Sequence, residues 1–148
     1  MYRIGSARGF TLVELLVVIA LIAIIAGFAV PQFGRMIDNN RVISQTNSIV
    51  GLLNFSRSEA VRRGARITVT SANNVLTATL TANNQVIRQM DEAEGGLSVS
   101  AGAVTYRANG LTTSGGDVSF DICSGSVGGR SVTVTPGGRV STTDINCP

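Results

Sequence analysis

Between Phe10 and Val30 the chain carries about 21 residues that are apolar except for Thr11 and Glu14. As a helix rising ~1.5 Å per residue, this run would be ~30 Å long, the thickness of a bilayer's hydrocarbon core. Only residues 1–9 precede it, and they are polar and basic through Arg3 and Arg8. A secretory signal peptide has a shorter apolar core, ~7–15 residues, closed by a small-residue cut site. Here the run is longer and no A-x-A pattern ends it. It is therefore predicted to be a membrane helix that stays with the mature chain. Arg3 and Arg8 are expected to hold the N-terminus on the cytoplasmic side, with the rest of the chain across the membrane.

Glu14 is out of place in such a run. A carboxylate at the centre of a membrane helix costs roughly 2.5–3.5 kcal/mol on insertion scales, and less near an end. Two readings stand. Thr11-x-x-Glu14 fits a capping box at a helix start, where a negative charge also suits the helix dipole. Alternatively, Glu14 waits for a cation. A cut between Gly9 and Phe10 would create an α-amine one helical turn away, on this chain or on a neighbour.

The stretch Arg8-Gly9-Phe10-Thr11-Leu12-Val13-Glu14-Leu15-Leu16 resembles the cleavage and methylation motif of type IV pilins and type II secretion pseudopilins. The resemblance implies that a membrane prepilin peptidase and N-methyltransferase removes residues 1–9 and methylates Phe10. It also implies a helical filament with residues 10–30 at its centre, and Glu14 pairing with the methylated amine during assembly. Pro31 matches a proline that such helices often carry just past the apolar run.

Composition narrows the remaining possibilities. A chain of 148 residues allows one modest domain plus an anchor. All twelve basic residues are arginine, and without residues 1–9 ten arginines face nine acids, so global charge does not argue for nucleic acid. With no histidine and two cysteines there is no metal-ligand cluster, no Ser–His–Asp set and no Cys–His pair. No Gly-rich phosphate loop is present. No enzyme and no cofactor are expected. Asp91, Glu92 and Glu94 sit in a polar segment ending in Gly95-Gly96 and read as a solvated loop.

From Gln32 to Arg63 apolar residues recur near helical spacing, weakened by Asn39-Asn40 and Ser44–Ser48. One helix from Phe10 to Arg63 is predicted, kinked at Pro31, which lacks an N–H. Gly64 is the expected C-cap. Glu59 is placed to pair with Arg62 and Arg63 at i+3 and i+4. Thr/Val-rich strands follow at Ala65–Thr70, Val75–Thr81, Gln85–Met90, Leu97–Ala101, Val104–Arg107, Val118–Ile122, Val132–Thr135 and Arg139–Thr142. Asn73-Asn74, Asn83-Asn84, Gly115-Gly116, Gly128-Gly129 and Pro136-Gly137-Gly138 punctuate them. The expected fold class is α+β: a long N-terminal helix, then antiparallel strands in two sheets, with the helix against one of them. The expected organisation is a leader at 1–9, a membrane helix at 10–30 and a periplasmic domain at 31–148, with its helix at 31–63 and its β region at 65–148. Cys123 and Cys147 would lie in an oxidising compartment, so a disulfide is expected over two free thiols, tying the tail to the strand ending at Ile122.

Asn54–Gly64 with Ile67-Thr68-Val69, the segment Tyr106-Arg107-Ala108-Asn109-Gly110, and Val132–Val140 with the terminal cysteine resemble the GspH/FimT family. That family holds minor pilins of the FimT and FimU kind and the GspH-type minor pseudopilin. The resemblance implies a minor subunit that primes or caps a type IV pilus; the alternative is a GspH-like minor pseudopilin of a type II secretion system. Implied partners are other pilin or pseudopilin subunits, the prepilin peptidase, an inner-membrane assembly platform and membrane lipid. Some FimT-type members bind double-stranded DNA through a Gly-Arg-x-Arg element during natural transformation. Here Gly138-Arg139-Val140-Ser141 stands in its place, with Ser141 where the second arginine would be. Arg130 could join Arg139 if their two Gly-flanked loops lie side by side. Two or three phosphate contacts would give weak, salt-sensitive, sequence-independent binding.

Overall fold

A computed structural model of the chain describes residues 9–93, 95–125 and 127–147. Residues 1–8 of the expected leader, and Glu94, lie outside the described residues. One helix, α1, runs Leu12–Arg63. Eight strands follow: β1 Ile67–Ala72, β2 Val75–Leu80, β3 Gln85–Gln89, β4 Leu97–Val99, β5 Gly102–Tyr106, β6 Val118–Ser124, β7 Gly128–Val134 and β8 Val140–Ile145. The chain divides into two compact units, residues 1–36 and 37–148.

In the first unit the chain is helical from Leu12, and it stays helical through Pro31. Proline supplies no N–H, so the Gly27 carbonyl loses its intrahelical partner without ending the helix. Every large apolar side chain from Phe10 to Val30 is at least 48 % exposed, and Phe10 reaches 91 %. α1 is long and apolar enough to cross a membrane.

In the second unit α1 buries Val42, Thr46, Ile49, Leu52, Leu53, Ser56 and Ala60, a stripe of one helix face. The polar residues that blur the apolar spacing are accommodated inside it. Thr46 Oγ1 donates to the Val42 carbonyl at 2.7 Å, and Ser56 Oγ donates to the Leu52 carbonyl at 2.7 Å. Each buried hydroxyl thus finds its partner on the preceding helical turn. The helix ends as expected at Gly64, whose φ is +61°. Gly64 N–H donates to Val61 O at 3.3 Å and Ala65 N–H to Ala60 O at 3.1 Å, the two bonds of a Schellman motif.

The strands form two four-stranded antiparallel sheets, in the orders β3-β2-β1-β5 and β4-β6-β7-β8. β1 and β2 are joined by Asn73 and Asn74, both at positive φ. Two such residues give the tight hairpin turn whose twist matches the strands, and asparagine tolerates that backbone region. Alternation then sorts each strand. Ile67 and Val69 of β1 are buried while Thr70 and Ala72 are exposed. Phe120 and Ile122 of β6, with Val132 and Val134 of β7, face the same core as Tyr106 and Val104 of β5. Both inner faces therefore meet the helix stripe in one cluster, rather than the helix lying against a single sheet. Eight strands were expected and eight occur among the described residues. β7, however, begins at Gly128, four residues before the expected Val132. Gly128-Gly129 reads as a break, but Gly129 is a paired strand residue opposite both Cys123 and Ile145.

Candidate functional site

The first candidate surface is the start of α1. Thr11 is its N-cap: Leu15 N–H donates to Thr11 O at 3.2 Å, and Glu14 N–H to Thr11 Oγ1 at 3.2 Å. Glu14 Oε2 accepts from Thr11 N–H at 2.9 Å and from Thr11 Oγ1 at 2.8 Å. This reciprocal arrangement is a capping box, which satisfies two of the orphan donors at a helix start. Gly9 and Phe10 precede it as exposed, non-helical backbone. A built side chain at Gly9 would meet nothing within 4 Å, so no packing among the described residues requires glycine there. The two residues flanking the expected cut are thus accessible in this chain, one helical turn from the Glu14 carboxylate.

The second candidate surface is the far end of the β domain, where local sequence gave the least guidance. Arg57 projects from α1 between two turns. Its Nε donates to Gly110 O at 3.0 Å and its Nη2 to Gly137 O at 3.2 Å. These carbonyls belong to the turn after β5 and the turn between β7 and β8, so one guanidinium joins the helix to both sheets. Thr112 N–H adds a bond to Pro136 O at 3.0 Å across the same junction. Gly138 packs directly on the Gly110 carbonyl and the Arg57 guanidinium, at a φ of +76°. Any side chain would collide there, and the backbone conformation favours glycine as well. Gly138 is therefore fixed by packing. Its neighbour Arg139 is exposed.

Arg130, paired with Arg139 in the sequence reading, sits elsewhere. It lies opposite Asp144 in the β7–β8 ladder, and its Nε reaches Asp144 Oδ1 at 2.8 Å. Four strand residues, roughly 13 Å of backbone, separate it from the end of β7 and the turn that leads to Arg139. The two Gly-flanked loops are at opposite ends of the hairpin, so the structure does not bring Arg130 and Arg139 together.

At the helix end Glu59 is 8 % exposed and receives Arg62 Nη2 at 2.7 Å and Arg63 Nε at 2.6 Å. The Arg62 hydrogen bond, then that of Arg63, lower the Glu59 carboxyl from its usual range to about 2. Close by, Tyr106 is buried, and its hydroxyl has no hydrogen-bond partner among the described residues. Burial pushes the phenol up to about 12, against the opposing charge of Arg57.

The expected disulfide is present between Cys123 and Cys147, with Cα atoms 5.8 Å apart. It crosses the outer face of β7 at Gly129. A side chain built there would run into Cys147 Sγ and the Ile122 carbonyl. The bond thus needs a glycine in the strand between its two ends, and it secures the chain beyond β8 to β6. No group of residues able to hold a metal ion occurs among the described residues.

Three comparisons bear on this geometry. The prokaryotic N-terminal methylation motif matches residues 5–30, and the family described as type II transport protein GspH matches residues 45–138. No curated protein matches the chain. Among solved structures the chain is similar to the type IV minor pilin FimU of Pseudomonas aeruginosa strain PAO1. One crystal form gives a TM-score of 0.63 at 21 % identity, covering 72 % of this chain and 90 % of that one. A second form gives 0.57 at 21 % identity, covering 68 % and 90 %. At that identity the likeness is one of fold. The GspH match spans more than half of the chain and takes in the helix end, the Arg57 junction and strands β1–β7, stopping short of β8. The chain therefore belongs to the GspH family, with a pilin-like α+β fold behind an N-terminal methylation motif.

Proposed function

We propose that this chain is a structural subunit of a type IV pilus, a minor pilin of the FimT/FimU type. The peptidase cuts between Gly9 and Phe10 and the new amine is methylated. Residues 10–30 then hold the subunit in the inner membrane, with residues 31–148 in the periplasm, until it enters the polymer as a priming or capping subunit. One observation carries this reading: the apolar first half of α1 is left exposed by the described residues. Exposed apolar surface of that extent is unfavourable in water, at about 25 cal/mol per Å². Lipid satisfies it before assembly, and the parallel helices of neighbouring subunits satisfy it afterwards. Glu14 supplies register. Its Oε2 is taken by Thr11, which leaves Oε1 for the methylated amine of a neighbour, in surroundings where an ion pair is poorly screened.

The mechanism is physical rather than catalytic. Family membership and the methylation motif support it, and the name printed for the similar structure, type IV minor pilin, favours a pilus. The family's description favours the second reading, a minor pseudopilin of a type II secretion system. Duplex DNA is left out of the proposal, because Arg130 is held by Asp144 at the opposite end of the hairpin from Arg139.

The test is made in the full chain. Glu14→Ala is expected to insert and be cut, yet to be missing from sheared filaments. Incorporation equal to the unaltered chain would refute the pairing. Gly9→Val is expected to keep its leader; an N-terminus at Phe10 in that variant would refute the assigned cut.

A further inference from the structure

The run Ser44–Ser48 breaks the apolar spacing of α1, and Gly51 follows it inside the helix, where glycine is a poor choice. Their spacing puts Ser44, Gln45, Ser48 and Gly51 along one flank of the helix. That flank lines a cavity of about 640 Å³, the size of a ligand site. Its other side is lined by Arg88, Gln89, Asp91 and Glu92, from the end of β3 and the loop after it. The groove lies wholly in the second unit.

Three features leave this groove incomplete. The Gln45 amide nitrogen is buried and has no hydrogen-bond partner among the described residues. An unmet donor is costly, and rotation about its last side-chain bond offers it to an acceptor in the groove. A side chain built at Gly51 would meet nothing within 4 Å, so no packing among the described residues requires glycine there. β3, finally, is the outermost strand of its sheet. Met90 N–H donates to Leu76 O at 2.9 Å. The alternation of an antiparallel ladder then turns the main-chain groups of Gln89 away from β2. The strand contains no proline and leaves Val86 54 % exposed, an edge open to pairing.

Length and charge narrow what fits. From Arg41 to Leu52 the helix flank is roughly 16 Å long, the length of about five residues of extended chain, and β3 has 5 residues. Arg41 pairs with Asp38 at 3.3 Å and packs against Gly95. Arg88 is turned onto the Phe55 ring, 5.2 Å from its centroid. Asp91 and Glu92 are in no ion pair among the described residues. The charges left for an occupant to meet are therefore acidic, which disfavours a phosphate chain.

We propose that this groove receives an extended segment of a partner polypeptide, which adds to β3 as a further strand of the first sheet. Its main chain bonds to the outer edge at Gln89, one of its carbonyls accepts from the Gln45 amide, and its lysine or arginine meets Asp91 and Glu92. Gly51 leaves room for its side chains. The assembly reading concerns residues 10–30 and the cut before them, so either can fail while the other stands.

The test uses the full-length chain in mild detergent. The probe is a synthetic peptide, blocked at both ends, that alternates threonine and valine around one central lysine. With the peptide at about 1 mM, hydrogen exchange at the Gln89 N–H is expected to slow about tenfold, while β8, outermost in the other sheet, is unaffected. The same peptide N-methylated at every residue is expected to have no effect, since it has no main-chain donors. Glutamate in place of the lysine is expected to weaken binding about fivefold, and Asp91→Asn with Glu92→Gln to abolish that preference. Gly51→Leu fills the groove and is expected to bind the peptide about tenfold less; disulfide formation reports that each variant has folded. No slowing at Gln89, equal binding of the N-methylated peptide, or unchanged binding by Gly51→Leu would overturn the proposal. So would slowing at Gln89 that grows with chain concentration in the absence of peptide, which would make the occupant a second copy.

Discussion

The two halves of α1 are made of similar residues and meet opposite fates. Ile22 and Ile49 are both isoleucines in one continuous helix, yet Ile22 is mostly exposed and Ile49 is fully buried. The difference is what the rest of the chain supplies. After residue 37 the helix meets two sheets and two turns, and its buried hydroxyls are satisfied. Before it, nothing among the described residues covers the apolar surface. Hydrophobicity thus does not decide whether a helix belongs to a core. That depends on whether the same chain provides the other wall. An apolar face without one is a requirement for lipid or for other subunits.

The contrast is broken most directly by truncating one side chain in each half. Leu53→Ala removes a fully buried side chain and is expected to cost about 2–5 kcal/mol of stability in denaturant unfolding of the detergent-solubilised chain. Ile22→Ala is expected to leave that unfolding transition in place. Similar shifts for both would mean that the first half is packed within the chain after all.

Next in size is the disulfide. Cys147→Ser removes a link spanning a sequence separation of 24 and is expected to lower stability by about 3–4 kcal/mol on the chain-entropy account. Gly129→Val should do at least as much without touching either cysteine, and should expose two reactive thiols. A Gly129→Val chain with no free thiol would refute the tight crossing over β7.

Arg57→Ala leaves the Gly110 and Gly137 carbonyls without their charged donor, an expected loss of about 1.5–3 kcal/mol. Arg57→Lys should recover only part, since one ammonium does not reproduce the two-pronged guanidinium. Full recovery by lysine would reduce the junction to simple charge.

The smallest effect is acid sensitivity. The Glu59 carboxyl is lowered to about 2 in the folded chain, below its ordinary value of about 4.3. Its stabilising contribution is therefore complete above the ordinary value and is lost as pH falls through about 2. Glu59→Gln should flatten the pH dependence of unfolding in that window; an unchanged slope would exclude Glu59 as its source.

The sequence and the structure agree where the physics is local. The helix is written in its apolar spacing and in Gly64, the β1–β2 hairpin in Asn73-Asn74, and the capping box in Thr11 and Glu14. They part where a residue's partner is distant in the chain. Arg57 looks like an ordinary surface residue of a helix, because the carbonyls it holds lie more than fifty residues away. Gly129 looks like turn punctuation, because the sulfur that passes over it comes from the tail. Arg130 and Arg139 look alike, each beside glycines, because only the hairpin register assigns them to opposite ends. The signal for Arg57 that sequence does carry is indirect: glycines at 110, 137 and 138 mark turns where backbone comes close to something.

The central claim is that residues 10–30 find their partners outside the chain after a cut at Gly9. Mass spectrometry of the membrane and sheared-filament fractions measures this directly. The expected result is a chain beginning at N-methylated Phe10 in both fractions, with Cys123 and Cys147 oxidised. A chain retaining Met1 in the filament fraction, or one recovered only as a water-soluble monomer, would contradict it.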